Sequence, residues 1–137
     1  MIGVLIVAHD SLGESLGCAV THVLGARPVQ FEVLSVAATD DPLQLLAAAR
    51  EQAKRLDTGE GVLIFSDIYG ASPSNLAAKL AQPGRMEVIA GVNLPMLIRA
   101  FTYRGRDIGT MVTKAISGGC EGVLHIEVKP TYAATRS

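Results

Sequence analysis

Apolar residues along this chain follow two rhythms that take turns. From Ile2 to Ala8 every residue is apolar or glycine, and the run stops abruptly at His9-Asp10. A continuous run of that length is what a parallel strand needs when helices cover both faces of its sheet. Behind it, Leu12, Leu16, Ala19, Val20, Val23 and Leu24 recur at helical spacing and predict one buried helix face. His22 falls on the solvent side with Ser15 and Cys18, and Gly25 supplies the stop. Residues 29–36 alternate and are rich in β-branched side chains, which predicts a second strand. Asp41 as N-cap, Pro42 at the first helical position and Gln44 as the capping-box partner then start a helix to about Leu56. Its inward face is Leu46, Ala49, Ala53 and Leu56.

The second half repeats the grammar. Residues 61–67 form another apolar run, and this one ends in Ser66-Asp67. Ile68-Tyr69-Gly70-Ala71 reads as a loop. Ser72 reads as the N-cap, with Pro73 at the first position, of a helix ending near Gln82-Pro83-Gly84. Residues 86–91 predict a fourth strand, and Asn93-Leu94-Pro95 leads into a helix to about Tyr103. A fifth helix begins at Asp107, with Ile108, Met111, Val112, Ala115 and Ile116 on its inner face, and the glycines of 117–122 break it. Residues 123–128 set Val123, His125 and Glu127 against Leu124, Ile126 and Val128, the alternation of a half-exposed edge strand. His125 there is structural or solvated.

Four alternations of strand and helix predict an α/β fold, doubly wound, with helices on both faces. The sheet should hold about four parallel strands plus a C-terminal antiparallel edge strand. Residues 1–129 form one domain, and residues 130–137 a flexible C-terminal tail.

Composition narrows the function classes. Of 137 residues, 49% are hydrophobic and 18% charged, which excludes disorder. A net charge of −1 gives no bulk attraction to nucleic acid or to an anionic membrane. The first strand lacks the basic start of a signal peptide, and no run reaches transmembrane length. Cys18 and Cys120 fit no metal-ligand spacing and are expected as free thiols of a cytoplasmic protein. No metal site and no cofactor are expected.

The chemistry gathers at strand ends. His9, Asp67 and the turn at 91–93 should meet at one edge of the sheet, where open α/β sheets bind ligands. A histidine attacks phosphorus only through a ring nitrogen bearing a lone pair, so the other nitrogen must hold the proton. A carboxylate accepting that N–H fixes the tautomer and offsets the charge that develops on the ring. Asp67 is the candidate for this role. The helix start at Ser72, approached through Gly70 and Ala71, offers N–H donors and a hydroxyl to a phosphoryl group. Plainer readings stand beside these. A histidine at a strand end is often simply hydrogen-bonded structure, Asp67 can serve its own loop, and Ser72-Pro73 is first a helix start.

At these residues the chain resembles the mannose-type enzyme IIA domains of the bacterial phosphoenolpyruvate-dependent sugar phosphotransferase system. The resemblance runs from Ile2 to about Val128. It rests on the strand-to-histidine start, on the block from Gly61 through Asp67-Ile68-Tyr69-Gly70-Ala71-Ser72-Pro73-Ser74-Asn75, and on Val88-Ile89-Ala90-Gly91-Val92-Asn93-Leu94-Pro95-Met96. It implies that His9 takes a phosphoryl group from the phosphocarrier protein HPr and passes it to a IIB component. It also implies that Asp67 hydrogen-bonds His9, that Ser72 lies at the phosphate, and that the chain is a homodimer exchanging its C-terminal strand. Such a carrier is cytoplasmic, with a place at the membrane through a permease complex left open. Asp10 stands where the family often has glycine or another small residue, and a carboxylate there could raise the histidine's proton affinity. No IIB domain follows in this sequence, so IIB is expected as a separate protein, or the chain as a regulatory phosphoprotein.

Two other functions compete. One is a phosphodonor subunit of dihydroxyacetone kinase, against which the Tyr69–Asn75 block argues. The other is a non-catalytic phospho-ligand-binding module, which should carry a glycine-rich loop after its first strand; only Gly13 and Gly17 follow His9 closely.

Overall fold

Strand β1, Gly3–His9, is buried along its whole length until its last residue, His9. The computed structural model, which describes residues 1–129, places it at the centre of a parallel four-stranded sheet of order β2-β1-β3-β4. Its neighbours are β2 (Phe31–Val36) and β3 (Val62–Ser66), and β4 (Met86–Ala90) lies outside β3. The register sets His9 opposite Val36 and Val7 opposite Ser66.

Side chains along β1 alternate between two separate cores, as the pleat requires. Val4, Ile6 and Ala8 pack with Leu63, Phe65 and Ile89 under helices α1 (Leu12–Leu24), α4 (Leu94–Thr102) and α5 (Ile108–Glu121). Leu5 and Val7 pack with Val62 and Ile64 under α2 (Pro42–Leu56) and α3 (Ser72–Ala78). The expected doubly wound α/β architecture is therefore present, with helices on both faces.

Several start and stop signals are realised in detail. The Asp41 side chain accepts from the Leu43 N–H, and Asn93 from the Met96 N–H. Gly25 closes α1 at φ +85° with its N–H on the Thr21 carbonyl, a conformation that favours glycine. Gln44 makes no capping-box bond among the described residues; Asp41 alone caps α2.

Helix α1 keeps part of the face that its apolar spacing predicts, with Val20 buried and Leu16 packed against the core, but is rotated away from the rest. Leu12, Val23 and Leu24 are exposed, and the buried positions are Gly13, Gly17 and Val20. A Cβ built on Gly13 would stand 2.7 Å from Val33 Cγ1 and 3.2 Å from Ile6 Cγ2, so the missing side chain is what lets the helix sit on the sheet. Gly13→Ala should accordingly lower stability by about 1 kcal/mol, measured by chemical denaturation. Alanine would gain about 1 kcal/mol in helix propensity, and overpacking a β-branched neighbour costs about 2.

Helix α5 also departs from expectation, continuing through the predicted break to Glu121. Gly118 and Gly119 lie buried against the Arg99 and Met96 side chains, making them contact positions of the α4–α5 pair. The antiparallel edge strand expected over 123–128 is not formed. Its backbone is irregular, and Val123, Leu124, Ile126 and Val128 are all exposed. Alternation is a property of the segment, whereas a strand also needs an edge to pair with, and within the described residues this segment meets none. The expected tail, 130–137, lies outside the described residues.

Candidate functional site

The chain runs from β1 outward to β2 and returns to the other side of β1 as β3, so its path reverses between β1 and β3. A crevice outside the carboxyl ends of two such strands is where this fold class places ligands. His9 is the last residue of β1, and Asp67 follows the last residue of β3. They meet there. His9 Nδ1 lies 2.6 Å from Asp67 Oδ2, and the same oxygen accepts the His9 backbone N–H at 2.9 Å. Asp67 Oδ1 accepts the Ile68 N–H at 3.0 Å.

This geometry decides the tautomer. An ionised carboxylate only accepts, so the proton of the bond belongs to Nδ1, and Nε2 on the far side of the ring keeps its lone pair. The Asp67 side chain is 9% exposed and that of His9 is 47% exposed. The orienting group is thus sheltered while the ring it orients is open to solvent. Burial pushes the Asp67 carboxyl up, but the His9 backbone N–H, the His9 ring and the Ile68 N–H together outweigh it and hold the group below its ordinary value.

Asp10 completes the strand end. Its φ of +48° lies in the left-handed region, and its N–H donates to the Val36 carbonyl at 2.9 Å. Asp is among the few side-chain-bearing residues that adopt this conformation readily, so the turn is made here without a glycine.

The loop after Asp67 is closed by a residue that sequence reasoning passed over. Ser74 Oγ accepts the Gly70 N–H at 2.9 Å and donates to the Ala71 carbonyl at 3.0 Å. Gly70 turns the chain at φ +88°, and its N–H is committed inside the loop. Ala71, not Ser72, is the N-cap of α3; Ser72 is its first residue, and the helix stops at Ala78, short of the predicted end. The Ser72 side chain is thereby left out of capping.

A cleft of about 410 Å³ brings His9 and Ser72 into one wall-to-wall space, together with Asp10, Asp40, Asn75 and Lys79. Of the residues singled out for phosphate, Ser72 lines this cleft, while Gly70 and Ala71 shape the loop beside it. A larger open groove of about 810 Å³ runs over α4 and α5 and holds none of the predicted site residues. Asn93, from the third strand end, faces away from the chemistry: it caps α4 and donates through Nδ2 to the Gly119 carbonyl. Asn75 and Lys79 were missed, though their spacing from Ser72 places all three on one helical face.

The sequence profile of the family described as "PTS system fructose IIA component" matches residues 3–116. The chain belongs to this family. The mannose-specific EIIAB component of Escherichia coli strain K12 is 38% identical over 93 residues, which cover 66% of this chain and 29% of that protein. The chain thus matches less than a third of the length of that relative. The fructose-specific EIIA component of Bacillus subtilis strain 168 is 39% identical over 64 residues, covering 45% of this chain and 44% of that one. Among solved structures, the mannose/sorbose-specific IIA subunit from Enterococcus faecalis superposes with a TM-score of 0.83. It shares 19% identity and covers 95% of this chain and 98% of its own. Component EIIA from Streptococcus agalactiae gives 0.81 at 22% identity, covering 91% and 97%. At such identities the likeness establishes the fold: an IIA-type sheet with its helices.

Cys18 and Cys120 are free and exposed, and the described residues contain no cluster able to hold a metal ion. None of the described helices is long and apolar enough to cross a membrane.

Proposed function

We propose that this IIA chain is a cytoplasmic phosphocarrier in which His9 Nε2 accepts a phosphoryl group from HPr and passes it to a IIB component, or holds it as a regulatory mark. The observation that carries the proposal is the 2.6 Å contact between His9 Nδ1 and Asp67 Oδ2, with the ring half exposed. In the transfer the Nε2 lone pair attacks phosphorus in line, and the bond from phosphorus to the donor breaks with its electron pair leaving on the donor atom. The proton stays on Nδ1, and the Asp67 carboxylate offsets the positive charge that grows on the ring. Ser72 would donate its hydroxyl to the phosphoryl oxygens, with the loop at Gly70 and Ala71 shaping the approach. Phosphoryl transfer asks mainly for positioning and charge stabilisation, so this reading requires no metal at the site.

Incubation with phosphoenolpyruvate, enzyme I and HPr should place one acid-labile phosphate on the chain. Onward transfer is then offered to a IIB protein and to a dihydroxyacetone kinase subunit. Passage to the kinase subunit alone would move the chain to that relay, and no incorporation at all would overturn the proposal.

The same reading makes the chain a homodimer that pairs residues 123–128 with a second copy. Leu124, Ile126 and Val128 are 78%, 87% and 94% exposed, a surface that pairing would cover. Sedimentation equilibrium at micromolar concentration should give twice the chain mass; a monomer would set the exchange aside.

A further inference from the structure

We infer that Lys79, with Asn75 one helical turn before it, binds the phosphoryl group on His9 from the α3 side of the cleft that they share. This inference rests on the phosphocarrier reading and adds to it the counter-charge that reading lacks. A phosphohistidine carries close to two negative charges near neutral pH, as other phosphorylated side chains do. At this site it arrives among carboxylates: Asp67 against the ring, and Asp10 and Asp40 lining the same cleft. Asp40 is already engaged, accepting the Ala37 N–H at 2.7 Å.

The cleft contains a single lysine or arginine, Lys79, and it enters no ion pair among the described residues. Lys79 caps α3 in right-handed helical geometry, so it continues the face that carries Ser72 and Asn75. Hydroxyl, amide and ammonium then line one wall in order. A lysine suits this work as a mobile point charge that follows the phosphoryl oxygens, where arginine would impose a fixed fork.

The test compares the full chain with Lys79→Gln and Lys79→Arg in single-turnover labelling by phosphorylated HPr across a salt series. Loss of one charge-assisted contact at a partly open site should slow labelling by Lys79→Gln about tenfold at low salt. The deficit should shrink as salt rises, and Lys79→Arg should recover most of the rate, with melting temperatures unchanged. Equal rates for Lys79→Gln and the parent at low salt would overturn the inference while leaving the His9 reading intact. So would a deficit indifferent to salt and to arginine. Failure of the parent itself to label would overturn both readings.

Discussion

Replacing His9 by alanine should abolish phosphate incorporation, bringing acid-labile label down to background. The loss should be complete because the substitution removes the only Nε2 that the cleft offers, and none of the other residues lining it is a histidine or cysteine. The fold should survive. The His9 backbone N–H keeps its bond to Asp67 Oδ2, the strand partner Val36 is unaffected, and only a half-exposed ring is lost from the sheet's edge. Labelling with phosphoenolpyruvate, enzyme I and HPr, run beside thermal melting by circular dichroism, separates the two effects. Label on His9→Ala equal to that on the parent would show that the phosphate sits elsewhere.

Asp67→Asn should slow transfer by about a hundredfold while leaving the chain folded, the upper end of the loss seen when a group that orients a metal-bound imidazole is removed. The reason lies in the count of acceptors. Both Asp67 oxygens receive N–H donors, Oδ2 from the His9 backbone and ring and Oδ1 from Ile68. An asparagine has one acceptor oxygen, so its amide nitrogen must face either the Ile68 N–H or the His9 pair. Facing His9, it turns Nδ1 into an acceptor and moves the ring proton to Nε2, where it blocks attack. Facing Ile68, it sets donor against donor in the loop. Either way the developing imidazolium loses its negative neighbour. A rate within twofold of the parent would remove Asp67 from the mechanism.

The same pair predicts an acid dependence. The folded-state value of Asp67 is held below 3.8, so its contribution to stability is fully present above that value and is lost as pH falls through the lowered one. Denaturation midpoints of the parent should drop across this acid window more steeply than those of Asp67→Asn.

How far the sequence could be read depended on which physical signal each element sends. Strands β1 and β3 were legible with their terminal His9 and Asp67 because a strand buried on both faces must be apolar throughout, so the first polar residue marks its end. Parallel topology put both residues at one edge of the sheet, and the strand order that makes β1 and β3 neighbours brought them together. Helix α1 was legible only in part, with Leu16 and Val20 packed on the core as their spacing predicts: periodicity weighs side chains, and the closest approach to the sheet is made at Gly13, which has none, while Leu12, Val23 and Leu24 stay outside. Gly118 and Gly119 misled in the opposite sense, resembling a helix break where they provide close approach to α4. The 123–128 segment alternates as an edge strand should, yet pairing depends on a partner that local pattern does not specify. Lys79 sent no signal of its own, since its place in the cleft with His9 depends on how α2 and α3 pack around it.

One oxygen of Asp67 holds both the end of a strand and the imidazole borne by the same residue. The rotamer freedom of His9 is therefore surrendered when the chain folds, before any partner arrives. Preorganisation of this kind removes an ordering cost from each encounter, so the surfaces that meet the site need contribute little binding free energy to align it. For a protein proposed to meet a donor and an acceptor in turn, that favours brief complexes. The ring is ready on contact, and neither partner must hold on long enough to arrange it.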